Sequence, residues 1–405
     1  MLIIKHYMEF STLRELGLQG MRLAQASYTC WIVARSYRGL AVAGRAPVWV
    51  VVEYKRVGSI VANPYAKVGP NTANSKAQHA VVRSNSRYTA RIYIPPSCLT
   101  MKVFVTGSTG NIGTSLVKDL LAHGHTVVGL ARSQAGVEKL TSLGATPLYG
   151  TLSDLPLLAK AAKESDAVAH LAFNHDFSDF ANSCAAEQAA ISAMGEALIG
   201  SGKPLVGTSG TMSMRKGKLA SEKDERDVQD PLVQLRGASE DIALSFANKG
   251  VRACAIRLAP VVHGEGSLGF VQLLLKSVLD SKQVAVINDG KNRWPAVYTS
   301  DAARAYRLVL EKGTAGMVYH AVGEEQILVK DIAAAIGRKL GVPVVSKTAE
   351  EAAEVYGFLA GAVGADNPVS SDWTREVLGW EPVGKGLIED IEDGLLDGVQ
   401  VGLKL

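Results

Sequence analysis

Three glycines at Gly107, Gly110 and Gly113, in the run Lys-Val-Phe-Val-Thr-Gly-Ser-Thr-Gly-Asn-Ile-Gly from Lys102 to Gly113, are spaced to cradle a diphosphate. Gly107 allows a tight turn, Gly110 lets the backbone come close to a pyrophosphate, and Gly113 lets a helix pack on the strand before it. The diphosphate then lies at a helix N-terminus, where unpaired N–H groups and the helix dipole favour negative charge. Thr106, Thr109, Asn111 and Ile112 share the turn and are expected to meet the cofactor with the glycines. An acidic residue about twenty positions further on would bind the ribose hydroxyls of NAD and repel the extra phosphate of NADP. Here that place reads Leu130-Ala131-Arg132-Ser133. Arg132 can make a charge-assisted, bidentate contact to a 2′-phosphate and Ser133 adds a hydroxyl, so NADP rather than NAD is expected; the alternative is a solvated surface arginine. Two histidines can move a proton near neutral pH. His175 follows a strand at the edge where ligands bind and His263 follows a later one, although a polar loop histidine is often structural. The histidines form no HxxxH pair and carboxylates do not gather around them, so no metal is expected.

These groups need a frame. Val103, Phe104 and Val105 form the short apolar run of a strand buried on both faces, and Ile112, Leu116 and Leu120, with Val117 and Leu121 beside them, predict a helix. The pattern then predicts strands over 126–131, 147–149, 167–171 and 204–208, and helices over 135–143, 155–163 and 187–199. Such alternation implies right-handed crossovers and an α/β, doubly wound parallel sheet of Rossmann type. Residues 101–262 are expected to form this dinucleotide-binding domain, with a late strand near 297–299 adding to it. Residues 263–405 are expected to be mainly a smaller C-terminal substrate-binding lobe, with helices over 268–279, 329–340 and 374–378. Phe270, Trp294 and Phe358 can line that lobe or belong to its core.

Several landmarks together, Thr106-Gly-Ser-Thr-Gly-Asn-Ile-Gly113, His170-Leu171-Ala172, Arg257 to Pro260 with His263-Gly264, Val297 to Ala303, and Leu378-Gly-Trp-Glu-Pro382, resemble the extended short-chain dehydrogenase/reductase superfamily, its NAD-dependent epimerase/dehydratase branch. The resemblance covers Met101 to about Gly394. It implies cofactor contacts at Leu171 and Ala172, a substrate-binding hydroxyl at Ser209 or Thr211, and a homodimer through the helices beside the fifth strand. It also implies a tyrosine four residues ahead of a lysine, the tyrosine moving the proton and the lysine holding the ribose. This chain departs from that pattern, because no tyrosine in it has lysine four positions later. Leu232 stands in the tyrosine position and Arg236 in the lysine position, judged by Glu240 four residues on. Arg236 can give positive charge and hydrogen bonds to a nicotinamide ribose, or an i,i+4 ion pair with Glu240. Asp301 is expected to cap a helix and Trp380 to sit in the core or a lid.

The expected function is an NADP-dependent oxidoreductase of atypical extended type, transferring hydride between nicotinamide and a small carbonyl or alcohol. The rival enzyme is a nucleotide-sugar epimerase or dehydratase. The rival of another class is a non-catalytic NADP-binding redox sensor, which the missing tyrosine favours.

Residues 1–100 differ in kind. They carry thirteen Lys or Arg against three Glu and no Asp, a net +10, which leaves −6 for the remainder of a chain whose total is +4. They show no lasting helical or alternating period, apart from a strand-like run at 48–52. Expected is a basic, poorly ordered extension outside the working fold, since Met101 directly precedes the first strand; a targeting arm is the alternative and would make the protein mitochondrial rather than cytoplasmic. No nucleic-acid partner and no transmembrane segment are expected. Cys30, Cys98, Cys184 and Cys254 are too scattered for a disulfide framework or zinc site, and Cys254 reads as a core thiol.

Overall fold

The structure, a computed structural model, describes residues 100–174 and 179–397, and within the first hundred residues five strands. The chain divides into two units, Met1–Thr100 and Met101–Leu405. In the first, strands Arg22–Ala26, Thr29–Arg35, Trp49–Lys55, His79–Arg83 and Thr89–Tyr93 pair antiparallel throughout. The loose extension expected there thus contains a sheet that its residue pattern does not announce; only the 48–52 run marked one of these strands.

The second unit opens with β1 (Lys102–Thr106), whose Val103, Phe104 and Val105 are fully buried. Burial of side chains this size stabilises by about 1.5–3 kcal/mol each. Next come α1 (Asn111–Ala122), β2 (Thr126–Ala131), α2 (Gln134–Ser142), β3 (Thr146–Tyr149), α3 (Leu155–Lys163), β4 (Ala167–His170), α4 (Phe180–Ala197), β5 (Pro204–Gly210), α5 (Pro231–Ser245) and β6 (Arg252–Leu258). The elements after them are β7 (Val261–His263), α6 (Val271–Ser281), β8 (Val284–Ile287), β9 (Arg293–Tyr298), α7 (Thr299–Lys312), β10 (Val318–Ala321), β11 (Glu324–Leu328), α8 (Val329–Leu340) and β12 (Val344–Lys347), then shorter helices that include Ala349–Tyr356 and Asp372–Leu378.

The large sheet runs β3-β2-β1-β4-β5-β6-β10, every neighbouring pair parallel. Strand order reverses between β1 and β4, so the carboxyl ends of these two strands open the crevice in which such sheets bind ligands. The predicted elements of this half appear within one to three residues, except α4, which begins seven residues before the expected start. Its first turns, Phe180 to Ala186, are mostly Ala, Ser and Cys, too small to print an apolar stripe.

One expectation is corrected. The strand at 297–299 does not join the large sheet: β9 pairs with β7 and β11 in a separate three-stranded sheet, and β10 fills the seventh place. This small sheet, the β8–β12 pair and α6 and α8 enclose their own core, with Trp294 fully buried and Phe270 edge-on to it. Trp294 is therefore core. The side chain of Phe358 lies outside the described residues.

Candidate active site

The glycine turn is held by backbone on every side but one. Gly107 has φ +67°, and a Cβ there would stand 2.8 Å from Ala172 N and Leu171 C. A Cβ on Gly113 would stand 2.0 Å from Gly107 O. Gly110 is different: it is exposed, its N–H closes the turn on Gly107 O at 3.0 Å, and a Cβ would meet only that oxygen, at 3.3 Å. The open face is the one a diphosphate needs. α1 has neither a side-chain cap nor an acidic residue in its first turn, which leaves its first N–H groups for an anion. Thr106 is buried, with its Oγ1 2.8 Å from His170 Nδ1 and accepting from Ala172 N at 3.3 Å, so it ties β4 to the turn. Burial, helped by the Arg236 charge, pulls His170 down to about 3, which keeps it neutral. Asn111 is exposed at the start of α1, and Ile112 packs against the core.

At the end of β2, Arg132 is exposed and makes no hydrogen bond or ion pair among the described residues. Ser133 caps α2, its Oγ accepting from Gly136 N at 3.2 Å. No acid stands in the first turn of α2. A second cation, missed in the sequence, is close to the turn: Lys139 Nζ donates to Thr109 O at 3.0 Å. Its spacing from Arg132 was visible, but only the fold brings it back over the glycines.

The helix that carries the altered motif is fixed by a buried ion pair. Asp230 Oδ1 accepts from Leu232 N at 2.9 Å, with Pro231 in the first turn. Glu240 then takes Arg257 Nε at 3.0 Å and Nη2 at 2.7 Å, with Arg226 Nε 3.6 Å away. Burial alone would raise Glu240, but the Arg257 hydrogen bonds and charge, with Arg226, hold it below the usual carboxylate range. Arg236 thus has no i,i+4 pair with Glu240, contrary to one expectation. It reaches across to α4, where Nη1 donates to Glu187 Oε2; Nη2 donates to Thr208 O at 3.4 Å, and its carbon lies 4.4 Å from the Phe173 ring centre. Leu232, in the tyrosine position, is nearly half exposed.

The remaining candidates separate. Ser209 Oγ is buried, faces Glu240 and makes no hydrogen bond of ordinary geometry among the described residues. Thr211 is buried too and clasps Asn367: its Oγ1 donates at 3.2 Å to the amide oxygen, whose NH₂ returns a bond to Thr211 O at 3.0 Å. That clasp, across 156 residues, ties β5 to the C-terminal lobe and occupies the hydroxyl. His263 is fully buried, with Nδ1 2.8 Å from Asp390 Oδ2 and Nε2 without a partner among the described residues; the loop after it meets the start of α1, where Asn111 Nδ2 donates to Gly266 O at 3.5 Å. His175 lies outside the described residues. Asp301 is the third residue of α7 rather than its cap, and its Oδ2 accepts from Val383 N at 2.9 Å and Gly384 N at 2.8 Å; Trp380 is core. In the loop after β5, Lys216 is exposed at its stem while its Nζ donates to Met212 O and Met214 O; desolvation of the ammonium pulls it down to about 8 although the Asp230 and Asp227 charges oppose this. Among the described residues no cluster of three or more His, Cys, Asp or Glu is placed to hold a metal.

Comparison with known proteins agrees with this architecture. The RmlD substrate binding domain family matches residues 101–357. An uncharacterised protein of Saccharomyces cerevisiae is 46% identical over 293 residues, 72% of this chain and 98% of the relative. The sterol-4-alpha-carboxylate 3-dehydrogenase (decarboxylating) of Dictyostelium discoideum is 25% identical, over 56% of this chain and 72% of that one. The chain is similar in fold to the dTDP-glucose 4,6-dehydratase of Streptomyces venezuelae solved with NAD and TYD bound, at a TM-score of 0.59 and 19% identity, over 72% of this chain and 96% of that one. The chain belongs to the RmlD substrate binding domain family, within the NAD-dependent epimerase/dehydratase branch of the short-chain dehydrogenases/reductases. Its class is that of NAD(P)-binding Rossmann proteins, whose members are oxidoreductases, epimerases and dehydratases. Among the described residues no helix is long and apolar enough to cross a membrane.

Proposed function

We propose that the protein is an NADP-dependent oxidoreductase that interconverts a small carbonyl compound and its alcohol. The observation that carries the cofactor choice is Arg132, an exposed cation with no partner among the described residues, at the end of β2 where an acid would select NAD. The open face of Gly110 and the uncapped start of α1 fit a diphosphate, and Lys139 adds charge beside it. The chemistry that a nicotinamide dinucleotide supplies when bound is hydride transfer to or from its ring. Arg236, in the lysine position, gives N–H groups to the nicotinamide ribose. Lys216 takes the proton role left by the missing tyrosine: it holds a proton just above neutral pH, and Asp230, which faces it, caps α5 two residues before Leu232. Ser209, turned toward Glu240, orients rather than donates.

Arg132→Asp is expected to weaken NADPH binding about a hundredfold while leaving NADH within about threefold, because it removes a charge-assisted contact and adds repulsion toward the 2′-phosphate alone. Fluorescence titration with both nucleotides reads this directly. NADPH oxidation over a panel of aldehydes and ketones is expected to fall off above about pH 8, and Lys216→Gln to lower the rate about a hundredfold with NADPH affinity kept. Tight NADPH binding with no turnover on any carbonyl would favour the sensor reading instead, which the leucine at position 232 supports.

A further inference from the structure

The cation in the lysine position is not a free charge. Glu187, on α4, is 1% exposed, and its Oε2 takes both the Arg236 guanidinium and Ser239 Oγ, the latter at 2.5 Å. Its Oε1 has no partner among the described residues. Burial raises the Glu187 carboxyl, and Arg236 and Ser239 oppose that rise. Phe173 covers one face of the guanidinium and Thr208 O takes one of its N–H groups, so the Arg236 side chain is held on three sides while 22% of it stays exposed. Its contacts, Phe173 just after β4 and Thr208 near the end of β5, place the guanidinium at the carboxyl edge of the sheet. Phe173 follows Ala172, whose N packs against Gly107, so the guanidinium continues the line from the glycine turn away from Arg132. With the adenosine end at Arg132, the nicotinamide end of a dinucleotide runs toward Arg236.

We infer that Glu187 is a positioning residue that fixes Arg236 at the nicotinamide end of the cofactor and balances its charge, and thereby sets the relative affinity for the oxidised and reduced nucleotide. The inference rests on the dinucleotide reading above. An oxidised nicotinamide ring is a cation and a reduced one is neutral. A bare guanidinium beside the ring repels only the oxidised form, whereas a close Arg–Glu pair treats the two forms nearly alike.

The test is titration of the full chain with NADP⁺ and with NADPH. Glu187→Gln keeps the size of the side chain and an acceptor for Arg236 and Ser239 but removes the charge. The ratio of the NADP⁺ to the NADPH dissociation constant is expected to rise about tenfold or more, since one unbalanced charge a few ångström from the ring is worth roughly fivefold in bulk water and far more near a protein surface. Combining Glu187→Gln with Arg236→Gln is expected to bring the ratio back within about twofold of the original, even though both affinities fall. Arg236→Lys keeps the charge pair and stands in should Glu187→Gln fail to fold: its ratio stays within about twofold, and a rise of about fivefold or more would overturn the inference. Equal weakening of both nucleotides by Glu187→Gln would likewise overturn it, since a merely structural carboxylate loosens both alike. If the unaltered protein holds neither nucleotide, the cofactor reading falls and this assignment with it; if it holds both and the ratio does not move, the assignment alone falls.

Discussion

Gly113→Ala is expected to abolish nucleotide binding and to destabilise the fold by about 3 kcal/mol, the upper range for overpacking a site that cannot give. The new Cβ would stand 2.0 Å from Gly107 O, 2.7 Å from Gly107 C and 2.9 Å from Ser108 Cα, all backbone of the same turn. Neither wall can yield. Gly107 is itself locked, at φ +67°, against Ala172 N, and α1 carries Leu116, Val117 and Leu120 in the core behind Gly113. Relief requires α1 to slide off β1, which takes the first N–H groups of the helix away from the diphosphate position. Gly110→Ala is the contrasting variant. Its φ of −73° suits any residue and its Cβ meets only Gly107 O at 3.3 Å, so stability is expected to stay within about 1 kcal/mol. The methyl nevertheless points into the open face, and NADPH affinity is expected to fall about a hundredfold. Urea unfolding and nucleotide titration of the two variants separate a turn that builds the fold from a turn that only meets the ligand. Equal stability of the two would contradict the packing described here.

The same glycines show why part of this protein is legible in one dimension. A strand, a turn with φ > 0 and an apolar helix are local events, so Val103 to Leu120 and most alternating elements after them can be placed from spacing alone. The Asp230-Pro231 start of α5 is local in the same way. What sequence spacing does not carry is which polar groups meet across the fold. Arg236 sits four residues from Glu240, and on an isolated helix they would pair; in the fold Glu240 turns to Arg257 on β6, and Arg236 finds a carboxylate 49 positions earlier on α4. Thr211 looks like a free hydroxyl after a strand until Asn367 arrives from 156 residues away. His263 looks like a lone loop histidine until Asp390, 127 residues on, meets its Nδ1. Each of these readings of a polar side chain concerns a group able to make a strong hydrogen bond, and the distant partner decides its role. Lys139 is the converse: an ordinary surface lysine on α2 becomes a site residue because α2 returns to the glycine turn.

Replacing Arg257 by Met is expected to cost about 3–5 kcal/mol at pH 7, the cost of leaving one partner of a buried ion pair behind. Glu240 is 3% exposed and, among the described residues, would keep as its one cation Arg226, 3.6 Å away and also committed to Asp241 at 2.6 Å. The methionine itself is tolerable, because the site is buried and Arg257 Nη1 already lies 3.1 Å from Met214 Sδ. The signature of the cause is its pH dependence. In the native pair the Glu240 carboxyl is held below its ordinary value, so the unfolded chain binds the proton more readily than the folded one. The stabilisation from the pair is therefore present above the ordinary carboxylate range and is lost as the pH falls through it, from about pH 5 downward. Without Arg257 the burial that opposed the pair dominates, the folded Glu240 carboxyl rises, and the variant takes up its proton at higher pH, above the ordinary carboxylate range. The deficit of Arg257→Met relative to the unaltered protein is thus expected to shrink between pH 7 and about pH 4.5, and adding Glu240→Gln to it should recover much of the loss at pH 7. Urea unfolding at the two pH values checks both statements. A deficit that is the same at both would mean that lost packing, not an unpaired buried carboxylate, carries the effect; the Glu240–Arg257 pair would then not be what holds α5, and with it Arg236, against the sheet.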